Sequence, residues 1–367
     1  MCSFAVDRYT GVLNRTGGTQ CGSPGCGFLS LRSMGITAIA EGAFSGMVHL
    51  SMLDLSANYI HFISPGAFKD LTSLMTLNLN SNALTVLQNG TFQGLSSLET
   101  LSLQSNYLSG GSMDAGAFQG LSQLRTLDLN NNRLYDMRAE GLFSGMPQLR
   151  NLSMQGQVTY YKFYLGNGTF SGNLSQLVSL EWSRGCCNYY YRSGDGSVIE
   201  RGAFDGLTGL ENLVLHGLQL DDAGMPSGLF QQCRSLKHLD LDYNLLSSIT
   251  EHTFSGLWYS VETLDLYGNT ISNISSQAFS GFQKLRSVTL GNNQLSVLPR
   301  NVFTNLTADG CSISLGDNPL TCLPEKPPRG ELFFESSRNK SLPSCPSEVR
   351  SCCKLLMFNY SLTFMPV

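Results

Sequence analysis

Eleven phenylalanines recur through the chain, at Phe44, Phe68, Phe92, Phe118, Phe143, Phe170, Phe204, Phe230, Phe254, Phe279 and Phe303. Most are 24 to 27 residues apart, and phrases such as Phe92-Gln-Gly-Leu and Phe254-Ser-Gly-Leu recur with them. A fixed period of this size means one short supersecondary unit stacked many times, since so small a unit cannot bury its apolar face alone. At 367 residues a chain would ordinarily divide into two globular domains, but a repeat array extends one core turn by turn. The functional question moves with it, from a pocket to a long surface.

Most periods also carry Leu-x-x-Leu-x-Leu-x-x-Asn. It reads Leu50-Ser-Met-Leu53-Asp-Leu55-Ser-Ala-Asn58 in one unit and Leu236-Lys-His-Leu239-Asp-Leu241-Asp-Tyr-Asn244 in another. The Leu-x-Leu alternation predicts a short strand with one buried face. The Asn after it is expected to bond backbone groups of its own and the neighbouring turn, satisfying a bend that would otherwise bury unpaired polar atoms. The Phe is expected to fill the far side of each coil and stack on its neighbours as a spine.

These residues resemble the leucine-rich repeat family, in its 24-residue Phe-spine form found in animal extracellular and receptor proteins. The resemblance implies an α/β solenoid of about eleven turns. It would be a horseshoe with a parallel β-sheet on the concave face and an irregular or short helical convex side. The implied organisation is an N-terminal Cys-containing cap over 1–27, the solenoid over 28–318 and a Cys-containing cap and tail over 319–367. Asn318-Pro319-Leu320-Thr321-Cys322 resembles the opening of the family's C-terminal cap, although it lacks the usual Trp and the closely following second Cys.

Counting from the Phe in both directions locates the irregularity. From each Phe to the next strand-end position is 14 or 15 residues throughout. From the strand end to the following Phe it is 10 for Asn58–Phe68, Asn82–Phe92, Asn244–Phe254, Asn269–Phe279 and Asn293–Phe303, and it rises to 13 for Gln157–Phe170 and 19 for Gly185–Phe204. Length variation therefore collects on one edge of the solenoid, and insertions confined to one face often mark the binding face. The Asn position fails in the same region, where Gln157, Gly185 and Leu218 replace it, so this middle is expected to be irregular.

Two binding candidates follow. The first is the enlarged-loop edge, with Tyr160, Tyr161, Phe163 and Tyr164 in one loop and Tyr189, Tyr190, Tyr191 and Arg192 in the next. Tyr and Arg bury much area at modest entropic cost and keep a polar end, which suits a protein or peptide ligand. The same rings could instead pack on the coil beneath them. The second is the concave sheet, where Asp54, Asp128, Glu181, Asp240 and Asp265 lie between the strand leucines. Asp242, Tyr243, Tyr267 and His216 stand close by. Arg125, Arg150, Lys237 and Arg286 form a neighbouring basic column, which could simply neutralise the acids. Left unneutralised, the strip would suit a basic or amine-bearing partner.

Cysteine use points to an oxidising compartment. Cys2, Cys21 and Cys26 precede the array, Cys186 and Cys187 fall in its irregular middle, and Cys311, Cys322, Cys345, Cys352 and Cys353 close the chain. Clustering at the ends reads as disulfide caps, with undetermined connectivity. Cys233 occupies a repeat Leu position and reads as a buried small hydrophobe. Sequons at Asn14, Asn89, Asn151, Asn167, Asn173, Asn273, Asn305, Asn339 and Asn359 are consistent with a secreted or cell-surface glycoprotein. A glycan on Asn151 would protrude from the concave face. No signal peptide is visible in this sequence.

Other classes find little support. Charged residues are only 14% of the chain and the net charge is −4, whereas nucleic-acid binding needs a basic stripe. No nucleophile elbow, phosphate-cradling Gly loop or zinc pattern occurs, so neither catalysis nor a cofactor or metal is expected. No stretch reaches the roughly 20 apolar residues of a membrane span. The expectation is a non-catalytic ligand-recognition module, soluble or the ectodomain of a receptor, with a protein, peptide or glycan ligand. The alternative is a structural adhesion or matrix protein that self-associates, for instance as a homodimer through Cys186 and Cys187.

Overall fold

The computed structural model describes residues 3–7, 10–17, 27–158, 162–172, 174–185, 196–299, 302–303, 306, 311–321 and 331–333. The chain is a parallel-sheet solenoid of about eleven turns. Its one helical segment among the described residues is a three-residue 3-10 turn at Gly110–Ser112. It divides into two compact units, Met1–Arg192 with Gly202–Leu210, and Ser193–Arg201 with Glu211–Val367.

In the first unit the principal strands are Phe28–Ser30, Met52–Asp54, Thr76–Asn78, Thr100–Ser102, Thr126–Asp128, Asn151–Gln157 and Ser179–Arg184. Each pairs in parallel with the strand one turn on, so Leu53, Leu77, Leu101, Leu127, Leu152 and Leu180 fall in one column. All six are buried. An antiparallel hairpin of Ser3–Val6 and Val12–Gly17 precedes them, and its second strand pairs with Ala38–Ile39. In the second unit the strands are Asn212–His216, His238–Asp240, Thr263–Asp265, Ser287–Thr289, Ser312–Ser314 and Glu331–Phe333, again parallel and in register.

The phenylalanine spine forms as the period requires. Phe44, Phe68, Phe92, Phe118, Phe143, Phe170 and Phe204 are buried and stack in order, with ring centroids 5.4 to 6.4 Å apart. Each ring adds about 0.5–1.5 kcal/mol to the burial of its apolar area. In the second unit the path changes: Phe282 stands between Phe254 and Phe279, 6.3 and 6.2 Å from them.

The asparagines do what a buried bend demands. Asn82 donates to the carbonyls of Leu55 and Leu79, both at 3.0 Å, and its Oδ1 accepts the Ile60 N–H at 3.0 Å. Asn58, Asn106, Asn132, Asn244, Asn269, Asn293 and Asn318 repeat the pattern. The expected failure at Gln157 does not occur. Its Oε1 accepts from Leu134 at 2.9 Å and its Nε2 donates to Leu129 at 3.0 Å, so the longer amide reaches the same partners. The strand that carries it is the irregular one, with a register shift between Met154 and Gln157.

Cys233 and Cys311 are buried. Cys311 corrects one expectation: it is a free thiol in the core, not half of a cap disulfide, and burial pushes the thiol up to about 11. Cys21, Cys26, Cys186, Cys187, Cys322, Cys345, Cys352 and Cys353 lie outside the described residues. Of the sequons, Asn89, Asn151, Asn167 and Asn273 are exposed, and Asn14 lies in the Val12–Gly17 strand. Asn173, Asn305, Asn339 and Asn359 fall outside the described residues.

Candidate ligand-binding surface

Strand alternation sorts the side chains of the second unit. Leu239 and Leu241 turn into the core, which leaves His238, Asp240 and Asp242 on the open face of the sheet. Asp240 first serves its own turn, where one of its oxygens accepts the Asp242 N–H at 2.9 Å and closes the bend after the strand. Asp265 does the same for Tyr267 at 3.0 Å, and Asp54 and Asp128 do so in the other unit. Asn78 makes the equivalent bond to Asn80 at 3.1 Å, so the bend needs an oxygen and not a charge. The charge on Asp240 and Asp265 is surplus to folding.

These two carboxylates are also neighbours. Asp240 and Asp265 stand directly in register on adjacent parallel strands. In the first unit the acids are spaced out, Asp54 facing Asn78 and Asp128 facing Ser102. Burial raises the pKa of both Asp240 and Asp265. For Asp240, burial and a hydrogen bond shared with the Asp242 carboxyl push it up to about 7.

The neighbouring column does not neutralise them. Glu211, Lys237, Glu262 and Arg286 occupy the same place in four successive turns, alternating in sign. Lys237 pairs with Glu211 at 2.8 Å and Arg286 with Glu262 at 3.8 Å. Among the described ion pairs, neither Lys nor Arg reaches Asp240, Asp242 or Asp265. Their one cationic partner among the described residues is His216, whose Nδ1 bonds Oδ1 of Asp242; that bond raises the imidazole pKa.

The aromatic side chains complete the strip. The Tyr243 ring lies 5.3 Å from His216 and 5.5 Å from Tyr267, inclined at 67° to the latter. A Cβ on Gly268 would come within 2.9 Å of the Tyr243 ring, and one on Gly291 within 3.1 Å of Tyr267. Those two glycines let each ring lie on the following turn. Tyr243 also sits at φ 51°, a left-handed conformation that bulky residues rarely adopt. Other turns place Ala57, Ser81, Ser105, Asn131, Gly268, Asn292 or Asp317 at this position.

His216, Asp240 and Asp242 form the one group among the described residues whose nitrogen and carboxylate oxygens all fall within 4.8 Å of one another. The His216 nitrogen and an Asp242 oxygen already face each other, and Asp240 bonds Asp242. The imidazole and the two carboxylates form one hydrogen-bonded cluster. In the sequence His216 stands out only as added polarity. Its clue is the shared repeat position, His216 standing one turn before Asp242 as Val214 stands before Asp240.

At the loop edge, Tyr160, Tyr161, Tyr189, Tyr190, Tyr191 and Arg192 lie outside the described residues. Tyr164 is half-buried beneath Arg138, whose guanidinium carbon lies 3.8 Å from the ring centroid. Phe163 is buried instead of displayed, its ring edge-on to Trp182 at 4.6 Å. A second cation–ring contact is Arg133 over Tyr107 at 4.7 Å. Its clue in the sequence is that Arg133 follows Asn132 as Tyr107 follows Asn106.

No helix of the described residues is long and apolar enough to cross a membrane. A leucine rich repeat model matches residues 28–82, 72–134 and 111–157, and a BspA type leucine rich repeat region model matches 197–317. No curated protein matches the chain. Among solved structures, a chain of the TLR13–ssRNA13 complex is 28% identical, with a TM-score of 0.55, over 73% of this chain and 40% of that one. A chain of the octameric Latrophilin 3, Unc5D and FLRT2 complex is 21% identical, with a TM-score of 0.58, over 87% of this chain and 85% of that one. A chain of the Drosophila Toll–Spätzle complex is 20% identical, with a TM-score of 0.55, over 79% of this chain and 41% of that one. The chain thus spans less than half the length of the TLR13 and Toll chains it matches. With the Asn ladder, the Phe spine and both repeat models in agreement, this chain belongs to the leucine-rich repeat proteins.

Proposed function

We propose that the chain is a non-catalytic protein-recognition module of a secreted protein or receptor ectodomain. It works outside the cell, where its sequons carry glycans and its terminal cysteines other than Cys311 form disulfides. The observation that carries this reading is the open face of the second unit. There the Asp240–Asp265 pair has no Lys or Arg partner among the described ion pairs, while the adjoining column of Glu211, Lys237, Glu262 and Arg286 pairs off internally. Charge that folding does not require, beside aromatic side chains held on glycine seats, is what a recognition surface needs. The partner is a protein or peptide. RNA, the ligand in the TLR13 complex, would meet like charge on this strip. The enlarged-loop edge around Tyr160, Tyr161, Tyr189 and Tyr190 is the second contact surface of the same module.

The test is a panel of cell-displayed extracellular proteins probed with the recombinant chain and two variants. One variant carries Asp240→Asn, Asp265→Asn, Tyr243→Ala and Tyr267→Ala; the other carries Ala at Tyr160, Tyr161, Tyr189 and Tyr190. A partner lost with the first variant supports the sheet face, and one lost only with the second moves the site to the loops. Absence of any partner, with self-association seen by light scattering, would overturn the reading in favour of a structural role.

A further inference from the structure

We propose that the open face around Asp240 and Asp265 seats a cationic segment of a protein partner, its Arg or Lys side chains meeting the carboxylates and lying against the Tyr243 and Tyr267 rings. The proposal rests on the recognition reading above and names the chemistry of the partner.

Charge complementarity carries it. Three carboxylates, Asp240, Asp242 and Asp265, share the face, and the cation packed beside them, His216, offsets only part of their charge. From the preceding strand comes His216, bonded to Asp242 alone. From the following strand comes Asp265 itself, another acid. On the Asp240 strand, His238 turns to the Thr263 hydroxyl at 2.7 Å and Lys237 turns to Glu211. Glu262, one column away, faces Arg286. A cation supplied from outside is the missing partner.

The geometry favours a side chain over a bulk counterion. Neighbouring strands lie about 4.8 Å apart, so the paired carboxylates present acceptors that one guanidinium fork can span. Tyr rings beside acids hold a guanidinium or ammonium face by cation–π attraction, which grows as the site is desolvated. Half-buried carboxylates gain more from an incoming cation than exposed ones, because less water competes. Asp240 holds its proton more firmly than an ordinary carboxyl, so a docking cation must displace it. Docking therefore releases a proton and strengthens as the pH rises from about 5.5 to 8.

The experiment uses the full chain and three capped peptides, hexa-arginine, hexa-lysine and hexa-glutamate, in isothermal titration calorimetry at pH 6.5. Titrations run in phosphate and in Tris, whose ionisation enthalpies differ. The expected result is saturable binding of the two cationic peptides, hexa-arginine the tighter, with net proton release. Asp240→Asn with Asp265→Asn should weaken it by about tenfold or more and abolish the proton release. Asn keeps the oxygen that closes each bend, so this variant retains the fold, which circular dichroism checks. The control variant Asp54→Asn with Asp128→Asn should bind as the parent does. Binding that persists in the Asp240/Asp265 variant, or falls equally in the control, marks non-specific attraction and overturns the proposal. So does Zn²⁺ or Ca²⁺ saturating the face and excluding hexa-arginine, which would make it a metal site. A displayed partner that needs Tyr243 and Tyr267 but not the two carboxylates would overturn the cationic segment while leaving the recognition reading standing.

Discussion

Lys237 pairs with Glu211 at 2.8 Å across adjacent strands, and not with Asp240, three residues along its own chain. The choice follows from where a strand points its side chains. Lys237 and Glu211 occupy the same repeat position one turn apart, so their heads meet without either chain bending. Asp240 is left facing Asp265, and the character of the whole face depends on that.

The pH dependence of stability should report this arrangement. Asp240 has a folded pKa of about 7 against an ordinary value of 3.8, so the folded chain binds its proton more tightly than the unfolded one. The contribution to stability is complete below about 3.8 and is lost as the pH rises through 7. His216, raised above 6.5, acts in the same direction: its contribution is present below that value and is lost as the pH climbs past the folded one. Urea unfolding at pH 5, 6.5 and 8 should show stability falling with pH. Asp240→Asn should flatten the trend and gain on the order of 1 kcal/mol at pH 8, after allowing for solvent screening. A parent chain equally stable at pH 5 and 8 would contradict it.

Tyr243 should separate stability from binding. Its left-handed backbone, φ 51°, costs roughly 1 kcal/mol that Asn at the same position largely avoids. Its contacts with His216 and Tyr267 contribute about as much in the opposite sense. Tyr243→Asn should therefore leave the melting temperature within a few degrees of the parent while weakening capture of hexa-arginine. A large loss of stability would mean that the ring serves the core and not the surface.

Gln157 should prove irreplaceable by the residue the repeat otherwise uses. Its amide reaches Leu134 and Leu129 from a strand that carries a register shift, and the additional methylene supplies that reach. Gln157→Ala leaves a buried N–H and carbonyl without their bonds and should cost about 2–4 kcal/mol in denaturant unfolding. Gln157→Asn should cost nearly as much, because the shorter amide stops short of both partners. Full recovery by Asn would show that the strand relaxes to the regular register.

Much of the fold was legible because a repeat writes each instruction many times over. The Phe and Asn positions reported the spine and the ladder, since a stacked turn leaves those side chains only one place to go. The acids were legible as a set, Asp240, Asp242 and Asp265 among them, but their neutralisation was not. Any charged side chain in a parallel stack has candidates in its own turn, the turn before and the turn after. The period is the same for all of them, so counting residues cannot choose. Cys311 illustrates the same limit: its position near the end of the array suggested a cap disulfide, whereas it is a buried free thiol.

By itself the sequence determined the architecture: a short strand, a bonded bend and a phenylalanine, repeated turn after turn. Apolar burial and backbone satisfaction act locally and identically in every turn, so composition at fixed spacing suffices to specify them. Only the tertiary structure decided which charges meet. Lys237 and Arg286 were taken up by Glu211 and Glu262, and Asp240 and Asp265 were set side by side, half-buried, with no Lys or Arg partner among the described residues. Electrostatics acts over ångströms between side chains from different turns, and that distance exists only after the chain has folded.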